Sequence, residues 1–155
     1  MPDRIFEDSR KRHLMTVGFL KMLKDNFGFE EAFDLASQAF ANYMIGYYNL
    51  VLSGTEPGSL QRFEKFRAHY SQLASESPYL EIVESGPGIL KACFTRCPFV
   101  EVMKHYDLER FSWAFCLSDA AFTEAVLPGV RFLRNHTISK GDDCCDHTWV
   151  CQLNK

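Results

Sequence analysis

The run Gly141-Asp142-Asp143-Cys144-Cys145-Asp146-His147 sets a thiol, a carboxylate and an imidazole on three consecutive residues. Such a trio supplies a nucleophile, a hydrogen-bonding anion and a proton carrier. If it opens a strand, alternation puts Cys145 and His147 on one face and turns Asp146 to the other, unless a bulge re-aims it. The plain alternative is a hairpin turn with Asp142 and Asp143 in solvent and Cys145 packed. A second set is Cys116-Leu117-Ser118-Asp119, whose helical spacing of three brings thiol and carboxylate to one face. Against it stands a core cysteine followed by a fresh helix cap at Ser118 or Asp119. The third set is Arg134 and His136, read as one face of an extended segment. A guanidinium among apolar neighbours requires an anion. That anion is either a protein carboxylate, Asp119 or Asp146, or the carboxylate of a substrate.

The remaining reactive residues are more scattered. All six cysteines (93, 97, 116, 144, 145 and 151) fall in the second half, with no C-x-x-C spacing. For any one of them alone, a buried and inert thiol is the first reading. Cys97, just before Pro98, lies where a strand gives way to a helix. Cys97, Cys116 and Cys145 with a His or Asp would also make a tetrahedral zinc site if folding brought them together. His13, His69 and His105 sit among polar helical residues and read as solvated. Phosphate-loop, H-E-x-x-H and G-x-S-x-G motifs are absent, which removes support for nucleotide hydrolysis and α/β-hydrolase chemistry.

The elements that must position these groups divide at about residue 77. Residues 4–25 carry Leu14, Val17, Leu20 and Leu23 at helical spacing. Phe29, Phe33, Ala36, Phe40, Tyr43, Tyr47 and Leu50 form a second stripe beyond Gly28. That stripe is read as internal core, with a homodimer seam as the alternative. After the breaker at 53–59, Ser59 caps a third helix with Leu60, Phe63, Phe66, Tyr70 and Leu73 on its apolar face, ending at Pro78. Residues 79–84 and 89–96 read as a hairpin about Ser85-Gly86-Pro87-Gly88. Residues 99–126 return to helix with a break near Ser118-Asp119. Residues 130–138 alternate as a strand, and a last strand sets Cys145, His147, Trp149, Cys151 and Leu153 on one face. The expected fold is α+β: N-terminal helices packed on a C-terminal antiparallel sheet of two hairpins with an intervening helix. One domain spans 1–155, helical over 1–77, with the site in 78–155.

Composition agrees. A chain of 155 residues with 46% hydrophobic residues and fourteen Phe builds a core, which excludes intrinsic disorder. A net charge of −3 leaves no cationic surplus for nucleic acid. No apolar run reaches the roughly 20 residues of a membrane span, and the N-terminus lacks a secretory apolar segment. A cytoplasmic protein is expected.

The chain Cys116-x-x-Asp119, Pro128, Arg134-x-x-Thr137-Ile138-x-x-Gly141-Asp142-x-x-Cys145-Asp146, with Cys97-Pro98 ahead of it, resembles the L-2-amino-thiazoline-4-carboxylic acid hydrolase family. The resemblance covers roughly residues 90–150. It departs at His147, where the family commonly has an aromatic residue. It implies a hydrolase of carbon–nitrogen bonds other than peptide bonds, opening a cyclic amidine to a carbamoyl-cysteine. Under it Cys116 or Cys145 is the nucleophile, or both are metal ligands. Asp119 or Asp146 holds the amidine, His147 or His136 moves protons, and Arg134 anchors the substrate carboxylate, with Cys97 nearby. The same order of helices and hairpins also looks like the 4-vinyl-reductase-type domains. That likeness implies a non-catalytic module binding a small molecule or zinc.

Overall fold

The computed structural model describes residues 3–152. Three helices lead: α1 (Arg4–Phe27), α2 (Phe29–Val51) and α3 (Leu60–Glu76). Then come β1 (Leu80–Gly86), β2 (Ile89–Phe94), α4 (Pro98–His105), α5 (Ser112–Val126), β3 (Val130–Leu133) and β4 (Cys145–Cys151). Single 3-10 turns lie at Glu109–Phe111 and Ile138–Lys140. The α+β expectation holds. The four strands form one antiparallel sheet in the order β1-β2-β4-β3, so the two hairpins lie side by side and β4 is an inner strand. No helix among the described residues is long and apolar enough to cross a membrane.

Local chemistry explains the boundaries. Asp3 caps α1, its carboxylate accepting the amides of Ile5 and Phe6. Gly28, at φ 78°, adopts a backbone that L side chains avoid and so separates α1 from α2. Ser59 caps α3 by accepting the Arg62 amide at 3.1 Å.

Two apolar clusters fill the interior. One packs Tyr48, Phe63, Phe66, Tyr70, Phe122 and Trp149 between α3, the sheet and the ends of α2 and α5. The other packs Leu20, Ala36, Phe99, Met103, Phe111 and Ala114 among α1, α2, α4 and the start of α5. Both α2 and α5 contribute to each cluster and join them.

Four expectations need correction. The break in 99–126 falls at Tyr106–Leu108, where Asp107 takes φ 57°, and not at Ser118-Asp119. Ser118 is mid-helix because its hydroxyl donates to the Phe115 carbonyl at 2.6 Å and frees no backbone for a cap. The third strand stops at Leu133, so Arg134 and His136 sit on a loop instead of a strand face. On α2 the stripe is internal at Phe29, Phe33, Ala36, Phe40 and Tyr47, which pack in or against the two clusters, but Tyr43 and Leu50 are 63% and 77% exposed. Ala32 and Tyr48, beside the stripe, are buried in their place. His69 and His13 are also half-buried: His69 Nε2 lies 3.1 Å from the Tyr47 hydroxyl, and His13 meets the Phe99 ring edge-on. Leu153 lies outside the described residues.

Arg62 ties the first cluster together. It is buried, and its guanidinium donates to the carbonyls of Val126 (2.7 Å), Leu52 (3.2 Å) and Thr55 (3.0 Å) and to Asn49 Oδ1 (2.9 Å). Val126 ends α5 and Leu52 caps α2, so one cation answers the negative ends of two helices. Replacing Arg62 with Met strands these carbonyls and is expected to cost about 3 kcal/mol. The measurement is urea denaturation, with a lower midpoint at unchanged m; a midpoint equal to wild type refutes it.

Candidate functional site

Helix α5 faces strand β4 in rungs. Cys116, Asp119 and Thr123 recur at spacings of three and four, while Cys145, His147 and Trp149 recur at two. The rise of 1.5 Å per helical residue and about 3.4 Å per strand residue keeps the two series in step.

At the first rung two thiols meet through hydroxyls. Cys116 Sγ lies 3.3 Å from Ser139 Oγ and 3.9 Å from Thr137 Oγ1. Thr137 Oγ1 lies 3.5 Å from Cys145 Sγ, which also accepts the Ile138 amide at 3.2 Å. Burial raises the Cys116 pKa above the ordinary thiol value, the Asp119 charge adds to this, and Ser139, Arg134 and Thr137 oppose it. Cys97, at the N-terminal cap of α4, is pushed up to about 12 by burial, with the neighbouring Cys116 and Cys145 contributing. These two thiols rest protonated.

At the second rung Asp119 Oδ2 accepts from Arg134 Nη1 at 2.9 Å and lies 3.8 Å from His147 Nε2. Arg134 Nη2 also donates to the Cys116 carbonyl at 3.1 Å. The Asp119, Arg134 and His147 side chains keep only 14%, 9% and 9% of their accessible surface. Desolvation raises Asp119 to about 7 even against the Arg134 guanidinium. His147 is lowered to about 3 by burial and by Arg134, and so is neutral. Its ring is boxed by Phe94, Phe132 and Trp149, and Nδ1 is buried without a hydrogen-bond partner.

At the third rung Trp149 Nε1 donates to Thr123 Oγ1 at 3.0 Å, and that hydroxyl donates to the Asp119 carbonyl at 2.7 Å. Trp113 closes the outer side of the second rung, with Arg134 and Lys140 against its ring.

The structure therefore gathers Cys97, Cys116, Asp119, Arg134, Cys145 and His147. It does not bring Asp146 or His136 into that group. Asp146 points to the other face, as alternation requires, and accepts the amides of Asn135 and His136, fixing the loop that delivers Arg134. His136 is exposed, with Nδ1 3.9 Å from Asp142 Oδ2. Sequence reasoning named Thr137 without a role and missed Ser139 and Thr123. Thr123 was recoverable as the next position on the Cys116/Asp119 face. Ser139 was not, because it lay beyond the expected strand, in what the structure shows to be a 3-10 turn. Among the described residues no three His, Cys, Asp or Glu side chains are arranged to hold a metal, so the zinc expectation has no donor set.

A cavity of about 430 Å³ opens on the α5–β3 flank, lined in part by Ala120, Thr123 and Phe132. Phe132, which lines it, also meets the His147 ring edge-on and lies against the Arg134 guanidinium. A larger apolar groove of about 640 Å³ lies elsewhere, between α1 and α2 over Phe99 and Phe115.

The profile of the L-2-amino-thiazoline-4-carboxylic acid hydrolase family matches residues 8–149. The chain belongs to this family. The match extends from α1 to the last rung of β4, well beyond the motif at 90–150, so the helical half is part of the family's unit. No curated protein matches the chain. Membership makes a hydrolase acting on a small molecule the coarse functional assignment.

The second rung carries a pH signature. An unfolded chain ionises aspartate at 3.8 and histidine at 6.5, whereas the folded values are about 7 and about 3. The raised Asp119 stabilises below pH 3.8 and loses this as pH rises to 7. The lowered His147 acts oppositely, its contribution fading as pH falls through 6.5 toward 3. The two slopes offset each other between roughly pH 4 and 6.5. In His147→Phe, stability relative to wild type is expected to fall by about 1.4 kcal/mol per pH unit across that window, and in Asp119→Asn to rise by about as much. Urea titrations at stepped pH measure both slopes; parallel curves for all three proteins contradict the assignment.

Proposed function

We propose that the protein hydrolyses a small cyclic amidine or thioimidate of the 2-aminothiazoline-4-carboxylate type, and that the second rung is its active centre. The observation that carries this reading is the carboxyl of Asp119, out of water yet held by Arg134, with a pKa of about 7. A group titrating near neutrality both takes and returns protons at working pH. Its carboxylate form also suits an amidinium, which it binds by charge-assisted hydrogen bonds.

In the proposed reaction Asp119 takes a proton from water as the oxygen attacks the ring carbon between sulfur and nitrogen. The tetrahedral carbon then releases one ring heteroatom, which receives that proton. Arg134 faces the substrate carboxylate while stabilising Asp119. Neutral His147 donates from its ring to the shifting negative charge. Cys116 or Cys145 is the alternative nucleophile, attacking the same carbon before water releases the product. The protonated resting state of Cys116 favours water as the attacking group.

A second reading is favoured by the close packing of the rungs, with an apolar groove of about 640 Å³ lying away from them. Under it the protein binds a small molecule without turnover.

Incubation with 2-aminothiazoline-4-carboxylate, followed by mass spectrometry, is expected to give a ring-opened product heavier by one water. Asp119→Asn is expected to lower kcat by about 10² to 10⁴-fold with the fold retained. Cys116→Ala and Cys145→Ala separate the two nucleophiles: attack by water survives both changes within about tenfold. Saturable binding by wild type with no product defeats the hydrolase reading and leaves the binding module.

A further inference from the structure

The rungs absorb Cys97, Cys116 and Cys145, and two further thiols face the opposite side of the sheet. In the β2–β4 register Phe94 lies opposite Cys145 and Cys93 opposite Asp146. Two residues before Asp146 comes Cys144, one position outside β4 and diagonal to Cys93 at the end of the ladder. Both are free and half-buried. Burial raises the Cys93 pKa, and the neighbouring Cys144 adds to the rise. Diagonal partners in a ladder have Cα atoms about 7–8 Å apart, slightly beyond disulfide reach. Cys144, however, precedes the first residue of β4 and belongs to the irregular stretch after Gly141. The small approach needed falls on backbone outside the ladder.

We propose that Cys93 and Cys144 form an oxidative modification site, converted to an intramolecular disulfide by a small disulfide oxidant such as glutathione disulfide. One protein thiolate attacks the oxidant's sulfur, forming a mixed disulfide and releasing one glutathione. The second protein thiolate attacks the first protein sulfur and releases the other glutathione. Two electrons pass from the cysteine pair to the oxidant, and the two protons leave on the released thiols. The bond anchors the end of the 134–144 loop to β2. That loop carries Arg134, Thr137 and Ser139 over Cys116, so the modification stiffens the cover of the rungs. It does not depend on the reaction proposed above.

The test incubates native, reduced protein with glutathione disulfide, then maps the linked peptides and follows amide exchange. Expected are a loss of about 2 Da per chain, a single Cys93–Cys144 link that is absent in Cys93→Ser, and exchange over 135–144 slowed by about tenfold or more. Separate glutathione adducts on both residues, a Cys144–Cys145 link or a link between chains overturns the proposal. A correct link with unchanged exchange overturns the stiffening.

Discussion

A carboxylate removed from water beside a guanidinium is the constraint around which this protein is arranged. Asp119 and Arg134 are both largely buried, and an ion pair in that position returns its desolvation cost only when the geometry is held firmly. Most of the surrounding structure supplies that firmness. Asp146 accepts two loop amides, and Asp142 accepts the Thr137 amide at 2.7 Å. Thr123 fixes the Asp119 carbonyl from one side, and Trp149 fixes Thr123 from beyond. The acidic residues around the turn therefore serve mainly to shape the loop that brings Arg134 to its partner.

Beside this pair, His147 places a polar ring in an apolar box. An aromatic residue at this position would fill the box of Phe94, Phe132 and Trp149 with hydrocarbon alone. The imidazole fills it equally well, brings Nε2 toward Asp119 and leaves Nδ1 unanswered. A buried polar atom without a partner is costly to keep. One rung away, burial and the Asp119 charge hold the Cys116 thiol protonated.

Much of this was legible in the sequence. Helical spacing of 116 and 119 and strand alternation of 145 and 147 give the two faces that meet, and Gly28 and Ser59 mark real boundaries. The internal carboxylate partner of Arg134 was one of the two alternatives that its chemistry demanded. What the sequence concealed was the loop. Residues 130–138 alternate like a strand, but the Asp146 and Asp142 carboxylates capture the amides of Asn135, His136 and Thr137 that a ladder would have used. Tertiary hydrogen bonds outweighed the local pattern. The stripe of α2 was legible at Phe29, Phe33, Ala36, Phe40 and Tyr47, while Tyr43 and Leu50 turn outward and Ala32 and Tyr48 are buried in their place.

Arg62 carries a separate lesson. Its charge is answered by backbone oxygens and one amide oxygen, in a fork that needs several planar donors at fixed angles. A lysine has the charge without the planar fork, and no neutral side chain has the donors. Substitution at position 62 is therefore penalised by scaffold geometry alone. Loss of the fold in an Arg62 variant would mimic the loss of a reactive group, although the side chain is a strut.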